Sequence, residues 1–225
     1  EIQQIDHLVD TPSHGAIAGL QRWGVWPRLP TGVRKRLNAL QGGDPRGPLD
    51  PEMRARVFHA SVGGPETAVS AALRKASALG YRTTQADQPL QWEARLAGTL
   101  LVRQLRALGG AGPRALVTGG ETTVAVKGPG RGGRNQELAL AAALEMAGAE
   151  GVALLAAGTD GVDGSSDAAG AVVTGATCAG ASDAAAARKA LEGNDSHAFF
   201  ERRPERVVTG PTGTNVADLA VGLLG

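Results

Sequence analysis

The stretch RALVTGGETTVAVKGPGRGGRNQELALAAALEMA, residues 114–147, carries the reading of the fold. It opens on an apolar β run, Ala115-Leu116-Val117, turns through Gly119-Gly120, crosses a second glycine-rich segment and ends in Ala/Leu spacing typical of a helix from Gln136 to Ala147. Strand, glycine-rich loop and helix in that order form the unit from which α/β sheets are built. The same alternation extends both ways along the chain. Upstream, Pro65 opens a stripe of Val69, Ala72, Leu73, Ala76 and Leu79, with Gly80 at the C-terminal cap position. A second helix carries Ala97, Leu101, Leu105 and Leu108 and stops at Gly109-Gly110. Downstream the pattern predicts a strand Val152 to Ala157, β residues Ala171 to Val173, a helix Asp183 to Leu191, a strand Val207-Val208 and a helix Val216 to Leu224. The order predicts an α/β fold, a mostly parallel or mixed sheet covered by helices, with Gly-rich loops at the strand ends where ligands gather.

The first third is less regular. Pro27 and Pro30 limit residues 1–50 to short helical pieces, residues 41–51 have the composition of an exposed connection, and Arg56 to Val62 have that of a strand.

Composition narrows the function classes. With 42% apolar and 20% charged residues in a chain of 225, the sequence is globular rather than disordered, and its apolar runs are too short to span a bilayer. Lys and Arg number 23 against 22 Asp and Glu, so no global charge draws it to nucleic acid or to an acidic membrane. One cysteine, Cys178, rules out an internal disulfide, and His7, His14, His59 and His197 are too scattered for a metal cluster. No charged-then-apolar leader opens the chain, and a cytoplasmic location is expected. Glycine is the outlier at 33 residues, which points to backbone brought close to something.

Four glycine-rich segments hold the candidate chemistry. In Thr118-Gly119-Gly120-Glu121-Thr122-Thr123 the glycines allow a tight turn and Glu121 can hold Mg²⁺ or a hydroxyl; a plain hairpin turn is the structural alternative. In Lys127-Gly128-Pro129-Gly130-Arg131-Gly132-Gly133-Arg134-Asn135-Gln136-Glu137, three cations lie beside a helix N-terminus. Charge, guanidinium forks and unpaired N–H groups can then converge on one anion. In Gly158-Thr159-Asp160-Gly161-Val162-Asp163-Gly164-Ser165-Ser166-Asp167, the carboxylates are spaced to hold Mg²⁺ while phosphates complete its shell, or to cap turns. Thr209-Gly210-Pro211-Thr212-Gly213-Thr214-Asn215 lacks a Gly-Lys-Ser/Thr ending. It is therefore no Walker A loop, and any phosphate there is held by backbone and hydroxyls, with Asn215 and Asp218 also placed to cap the helix that follows. Gly128-x-Gly130-x-x-Gly133 is a literal dinucleotide fingerprint. The residues before it alternate as a half-exposed strand, whereas a dinucleotide fold needs a strand buried on both faces.

These four segments, in this order and spacing, together with Asn194-Asp195-Ser196, resemble the glycerate 2-kinase family and its carboxy-terminal module, MOFRL. The resemblance implies a two-domain kinase that phosphorylates D-glycerate from ATP with Mg²⁺ in a cleft between domains, 2-phosphoglycerate being the expected product. It implies that Arg134 is catalytic, partnered by a lysine of an amino-terminal domain that has no counterpart here. Gly119, Gly120, Glu121, Thr122, Arg131, Gly133, Asn135, Thr159, Asp160, Thr212, Gly213, Thr214 and Asn215 are the expected substrate or nucleotide contacts, and Asp160, Asp163 and Glu121 the expected metal ligands. On this reading residues 1–112 are a remnant of the amino-terminal kinase domain with connecting elements, and 113–225 the MOFRL-like domain. The alternatives are an NAD(P)H-dependent hydroxypyruvate reductase using Gly128 to Gly133, and a non-catalytic anion-binding domain.

Overall fold

The structure is a computed structural model that describes residues 13–40, 56, 58, 60 and 62–225. The chain divides into two compact units, Glu1–Ala60 and Ser61–Gly225. The first holds helix α1 (Ser13–Arg22), a 3-10 turn (Trp26–Arg28) and helix α2 (Thr31–Leu40). These are the short pieces expected from the prolines: Pro27 lies in the 3-10 turn, and the Pro30 carbonyl accepts the Val33 and Arg34 N–H groups at the start of α2. The exposed connection expected over 41–51 lies outside the described residues. Of the strand expected over Arg56 to Val62, the described positions Arg56, Phe58, Ala60 and Val62 are not in a strand.

The second unit runs α3 (Pro65–Ala78), β1 (Arg82–Gln85), α4 (Ala94–Ala107), β2 (Arg114–Gly120), α5 (Arg134–Glu145), β3 (Val152–Gly158), β4 (Gly170–Thr174), α6 (Ala181–Glu192), α7 (Ser196–Phe200), β5 (Arg206–Val207) and β6 (Asp218–Leu224). The expected boundary at 112/113 falls inside this unit, between α4 and β2. The strands form one six-stranded sheet in the order β1-β2-β6-β3-β4-β5. The sheet is mixed, and mainly antiparallel: β1 with β2 is parallel, while β2–β6, β6–β3, β3–β4 and β4–β5 are antiparallel.

Two of the four antiparallel pairings come from β6, at the place where the apolar spacing predicts a helix from Val216 to Leu224. Its burial alternates, with Asp218, Ala220 and Gly222 buried and Leu219, Val221 and Leu223 only partly so. Insertion between β2 and β3 supplies hydrogen-bond partners on both edges, and that outweighs the weak helical preference of a segment containing Gly222. Gly222 is also needed for fit, since a Cβ there would lie 2.9 Å from Leu105 Cδ2 of α4.

Helices α4 and α5 cover one face of the sheet and α3 the other, where Gly119 of β2 meets Val69. The two covering helices approach closely because α4 carries Gly98, whose Cβ would stand 2.3 Å from the Leu138 carbonyl oxygen of α5. Between them and the sheet lies an apolar core of Leu101, Leu105, Leu116, Leu138, Leu140, Leu154 and Phe200. Cys178 belongs to this core: burial pushes its thiol up to about 11, against a downward pull from Arg203. Among the described residues no helix is long and apolar enough to cross a membrane.

Candidate active site

Strands β2 and β3 run in the same direction on either side of β6, so their C-terminal ends meet its start. The register Gly120↔Asp218↔Gly158 puts these three residues in one row at the sheet edge. The segments after β2 and β3 and the one before β6 all issue from this row, which is where the expected loops had to converge.

Hydrogen bonds interlock all four loops. Arg134, first residue of α5, directs Nε to Asp218 Oδ2 at 3.1 Å and Nη2 to Asp218 Oδ1 at 3.3 Å, while Nη1 meets Glu121 Oε1 at 2.8 Å. One guanidinium thereby ties the second loop to the first and to the start of β6. The Asn135 amide donates to Asp218 Oδ1 at 3.0 Å and to Asp163 Oδ1 at 3.2 Å, joining the second loop to the third. The fourth loop hangs on the third: Thr212 Oγ1 donates to the Thr159 carbonyl at 2.6 Å, Thr212 N to the Asp160 carbonyl at 3.1 Å, and Thr159 Oγ1 to the Ala217 carbonyl at 2.7 Å. Thr159 Oγ1 also accepts from Val216 N. Glu121, Arg134, Asp160 and Thr212 thus belong to one connected edge.

Partial burial by itself would lower the Arg134 pKa, but the hydrogen bond and charge of Asp218, then the charges of Glu121 and Asp163, outweigh it and hold the group above its ordinary value. Arg134 is a permanent cation here, with 39% of its side chain exposed.

At the helix N-terminus two of the N–H groups expected to be free, those of Asn135 and Gln136, are already taken. Asp163, only 2% exposed, accepts Asn135 N at 2.9 Å and Gln136 N at 2.8 Å, plus both side-chain amides, and the Gly133 carbonyl accepts Glu137 N. A carboxylate from the third loop therefore caps α5, and side chains, Arg134 first, are what this edge presents to an anion. Burial raises the Asp163 pKa, and the hydrogen bonds from Asn135 and Gln136 offset only part of that rise. With both oxygens committed, Asp163 is not placed as a metal ligand. Among the described residues no three His, Cys, Asp or Glu side chains gather to hold a metal.

The fingerprint glycines pack on protein. A Cβ on Gly128 would lie 2.4 Å from the Gly193 carbonyl oxygen, on Gly130 2.4 Å from Asp195 Cβ, and on Gly133 2.3 Å from Asp163 Oδ1. The template for this loop is Gly193 to His197. Asn194 Oδ1 accepts Lys127 N and Gly128 N at 2.7 and 3.0 Å, Asp195 Oδ1 accepts Arg131 N at 2.9 Å, and the Arg131 carbonyl accepts His197 N. Asn194, at φ 51°, also donates to buried Glu137, which pairs with Arg95 at 2.6 Å. The exposed Arg131 guanidinium reaches the Ser165 carbonyl at 3.2 Å.

The remaining expected contacts are placed as follows. Gly119 and Gly120 lie within β2 rather than after it, and Thr122 is buried. Asp160 Oδ1 accepts Val162 N, Thr214 N donates to Thr212 Oγ1, Gly213 is exposed, and Asn215 Oδ1 accepts Ala217 N. Since no helix follows, Asn215 and Asp218 cap none. Asp218 is the site residue that sequence reasoning misplaced. Its one local signal was a carboxylate next to a glycine-rich turn, which fits a cap equally well.

An α/β domain whose glycine-rich loops lock together around an arginine at one sheet edge matches the MOFRL family over residues 114–218. Residues 114–218 thus carry a MOFRL-family domain, and glycerate kinase homologues cover the chain. It is 51% identical over 120 residues to the D-glycerate 2-kinase of Thermotoga maritima, covering 50% of this chain and 27% of that protein. It is 37% identical over 172 residues to an Agrobacterium vitis protein provisionally named a hydroxypyruvate reductase, covering 73% and 45%. A crystal structure of Thermotoga maritima glycerate kinase superposes with a TM-score of 0.74 at 34% identity, covering 95% of this chain and 50% of that one. The chain spans half or less of each of these relatives.

Proposed function

We propose that the full-length protein is a glycerate 2-kinase that transfers the γ-phosphoryl group of ATP to the 2-hydroxyl of D-glycerate, and that this chain supplies one wall of an interdomain cleft. The observation that carries this reading is the Arg134 guanidinium, held on Asp218 by its Nε and Nη2 with Nη1 turned to the exposed side beside Glu121. Phosphoryl transfer asks chiefly for positioning and neutralisation of oxygen charge, which a fixed planar fork provides. Arg134 would hold the transferring phosphoryl group or the glycerate carboxylate, displacing Glu121 from Nη1. Thr212, Gly213 and Thr214 form the adjoining exposed turn, where the Gly213 N–H and the Thr214 hydroxyl are left to reach phosphate oxygens, since Thr212 N, Thr212 Oγ1 and Thr214 N donate within the protein. Mg²⁺ is the expected companion of ATP, and Asp160 and Glu121 are the carboxylates at this edge left to reach it. The amino-terminal part is expected to bring the partner lysine.

Reduction of hydroxypyruvate with NAD(P)H is disfavoured by the packing of Gly128, Gly130 and Gly133 against Gly193, Asp195 and Asp163. Those glycines serve contacts within the protein rather than the approach of a pyrophosphate. The deciding experiment incubates the full-length protein with ATP, Mg²⁺ and D-glycerate, following ADP by a coupled assay and the product by ³¹P NMR. ADP release with 2-phosphoglycerate is expected. Oxidation of NADH or NADPH by hydroxypyruvate without ADP formation would establish the reductase instead, and neither activity would leave an anion-binding domain.

A further inference from the structure

We infer that Asp218 is a positioning residue for the transfer reaction, acting through Arg134; this rests on the kinase reading given above. Asp218 is 3% exposed, and both of its oxygens are used inside the protein, Oδ2 by Arg134 Nε and Oδ1 by Arg134 Nη2 and the Asn135 amide. Its charge faces the guanidinium and not the open side of the edge, so it serves Arg134 rather than a ligand. A carboxylate this buried is tolerated because a fixed cation satisfies it.

The two-point contact removes the rotational freedom that a half-exposed arginine otherwise has, and it leaves Nη1 pointing one way. The backbone fixes the acceptor in turn. Asp218 opens a central strand and pairs with Gly120 on one side and Gly158 on the other. The preceding Ala217 takes φ 66°, a conformation that disfavours a side chain, and is held there by Thr159 N and Oγ1 on its carbonyl and by Asn215 Oδ1 on its N–H. Loops three and four thus set the direction of an arginine on loop two. Neither spacing nor local pattern links positions 134 and 218.

The test uses the full-length enzyme and a double-mutant cycle of Asp218→Asn and Arg134→Ala, with kcat and KM read for ATP and D-glycerate. Asp218→Asn keeps the shape but loses the charge and one acceptor of the fork. It is expected to lower kcat at least ~10-fold with KM moved much less, and to add almost nothing in the Arg134→Ala background. An equal loss in both backgrounds would mean a structural role only and would overturn the inference, as would an Asp218→Asn enzyme with wild-type turnover. If Arg134→Ala itself keeps full turnover, the assignment of Arg134 falls, and the role of Asp218 with it; with Arg134→Ala inactive, only the Asp218 result is at issue. Should Asp218→Asn fail to fold, the wild type decides. The Arg134 Nε–H proton, identified by its loss in Arg134→Lys, is expected to exchange slowly with solvent, and fast exchange would overturn the inference.

Discussion

Asp163 caps a helix that lies outside its own loop: its two carboxylate oxygens accept the backbone N–H groups of Asn135 and Gln136, 2.9 and 2.8 Å away, at the first turn of α5. The contact closes the space beneath Gly133, where any Cβ would strike the same carboxylate. Candidate catalytic residue and helix cap are therefore neighbours in one packed unit.

Replacing Asp163 by Ala is expected to destabilise the domain by about 1–2 kcal/mol or more, the usual loss of a side-chain cap, read by chemical denaturation. Replacement by Asn tests the proton linkage. Burial raises the folded-state pKa of Asp163 above its ordinary value, so the folded protein binds this proton more readily than the unfolded chain. The proton-linked part of the Asp163 contribution is then fully present below the ordinary carboxylate range and is lost as pH rises through the raised value. The stability difference between wild type and Asp163→Asn should shrink with rising pH across that window and be flat above it.

Arg134→Lys keeps a positive charge and loses the planar fork that Asp218 grips. Turnover of the full-length enzyme is expected to fall at least ~10-fold, equivalent to about 1.4 kcal/mol of transition-state stabilisation, while the thermal midpoint changes little. A rise in KM alone would assign Arg134 to ground-state binding. Unchanged constants would remove it from the mechanism.

Gly130→Ala is expected to displace the glycine-rich loop, because the new Cβ would lie 2.4 Å from Asp195 Cβ and 2.6 Å from the Gly193 carbonyl oxygen, neither of which can swing away. The cost expected of such overpacking is about 1–3 kcal/mol, with a larger proportional loss of activity than of stability. Gly109→Ala, where nothing lies within 4 Å of the added carbon, is the control and should leave both unchanged.

Much of the architecture was legible because it rests on short-range rules. The apolar stripe after Pro65, the helix ending near Gly109-Gly110 and the strand over Val152 to Ala157 each carry their own period and punctuation, and the structure has α3, α4 and β3 there. In the segment Val216 to Leu224 the apolar residues satisfy helical and alternating spacing alike; edge partners from β2 and β3 decide for the strand, and neither is nearby in sequence. The short, polar β1 (Arg82–Gln85) gave no signal of burial by which to find it.

The candidate site divides in the same way. The residue types and spacing of the glycine-rich segments, read as a family pattern, are properties of the sequence alone, and they picked out Arg134 and the loops around it. What each polar group does there was decided by tertiary structure. Asp163, a metal ligand on the family pattern, accepts the N–H groups of α5, while Asp218, a cap by its local sequence, grips Arg134 from 84 positions away. The physical reason is that a carboxylate's role depends on which donors desolvate it, and those donors arrive only when β6 slots between β2 and β3 and brings the ends of distant loops together.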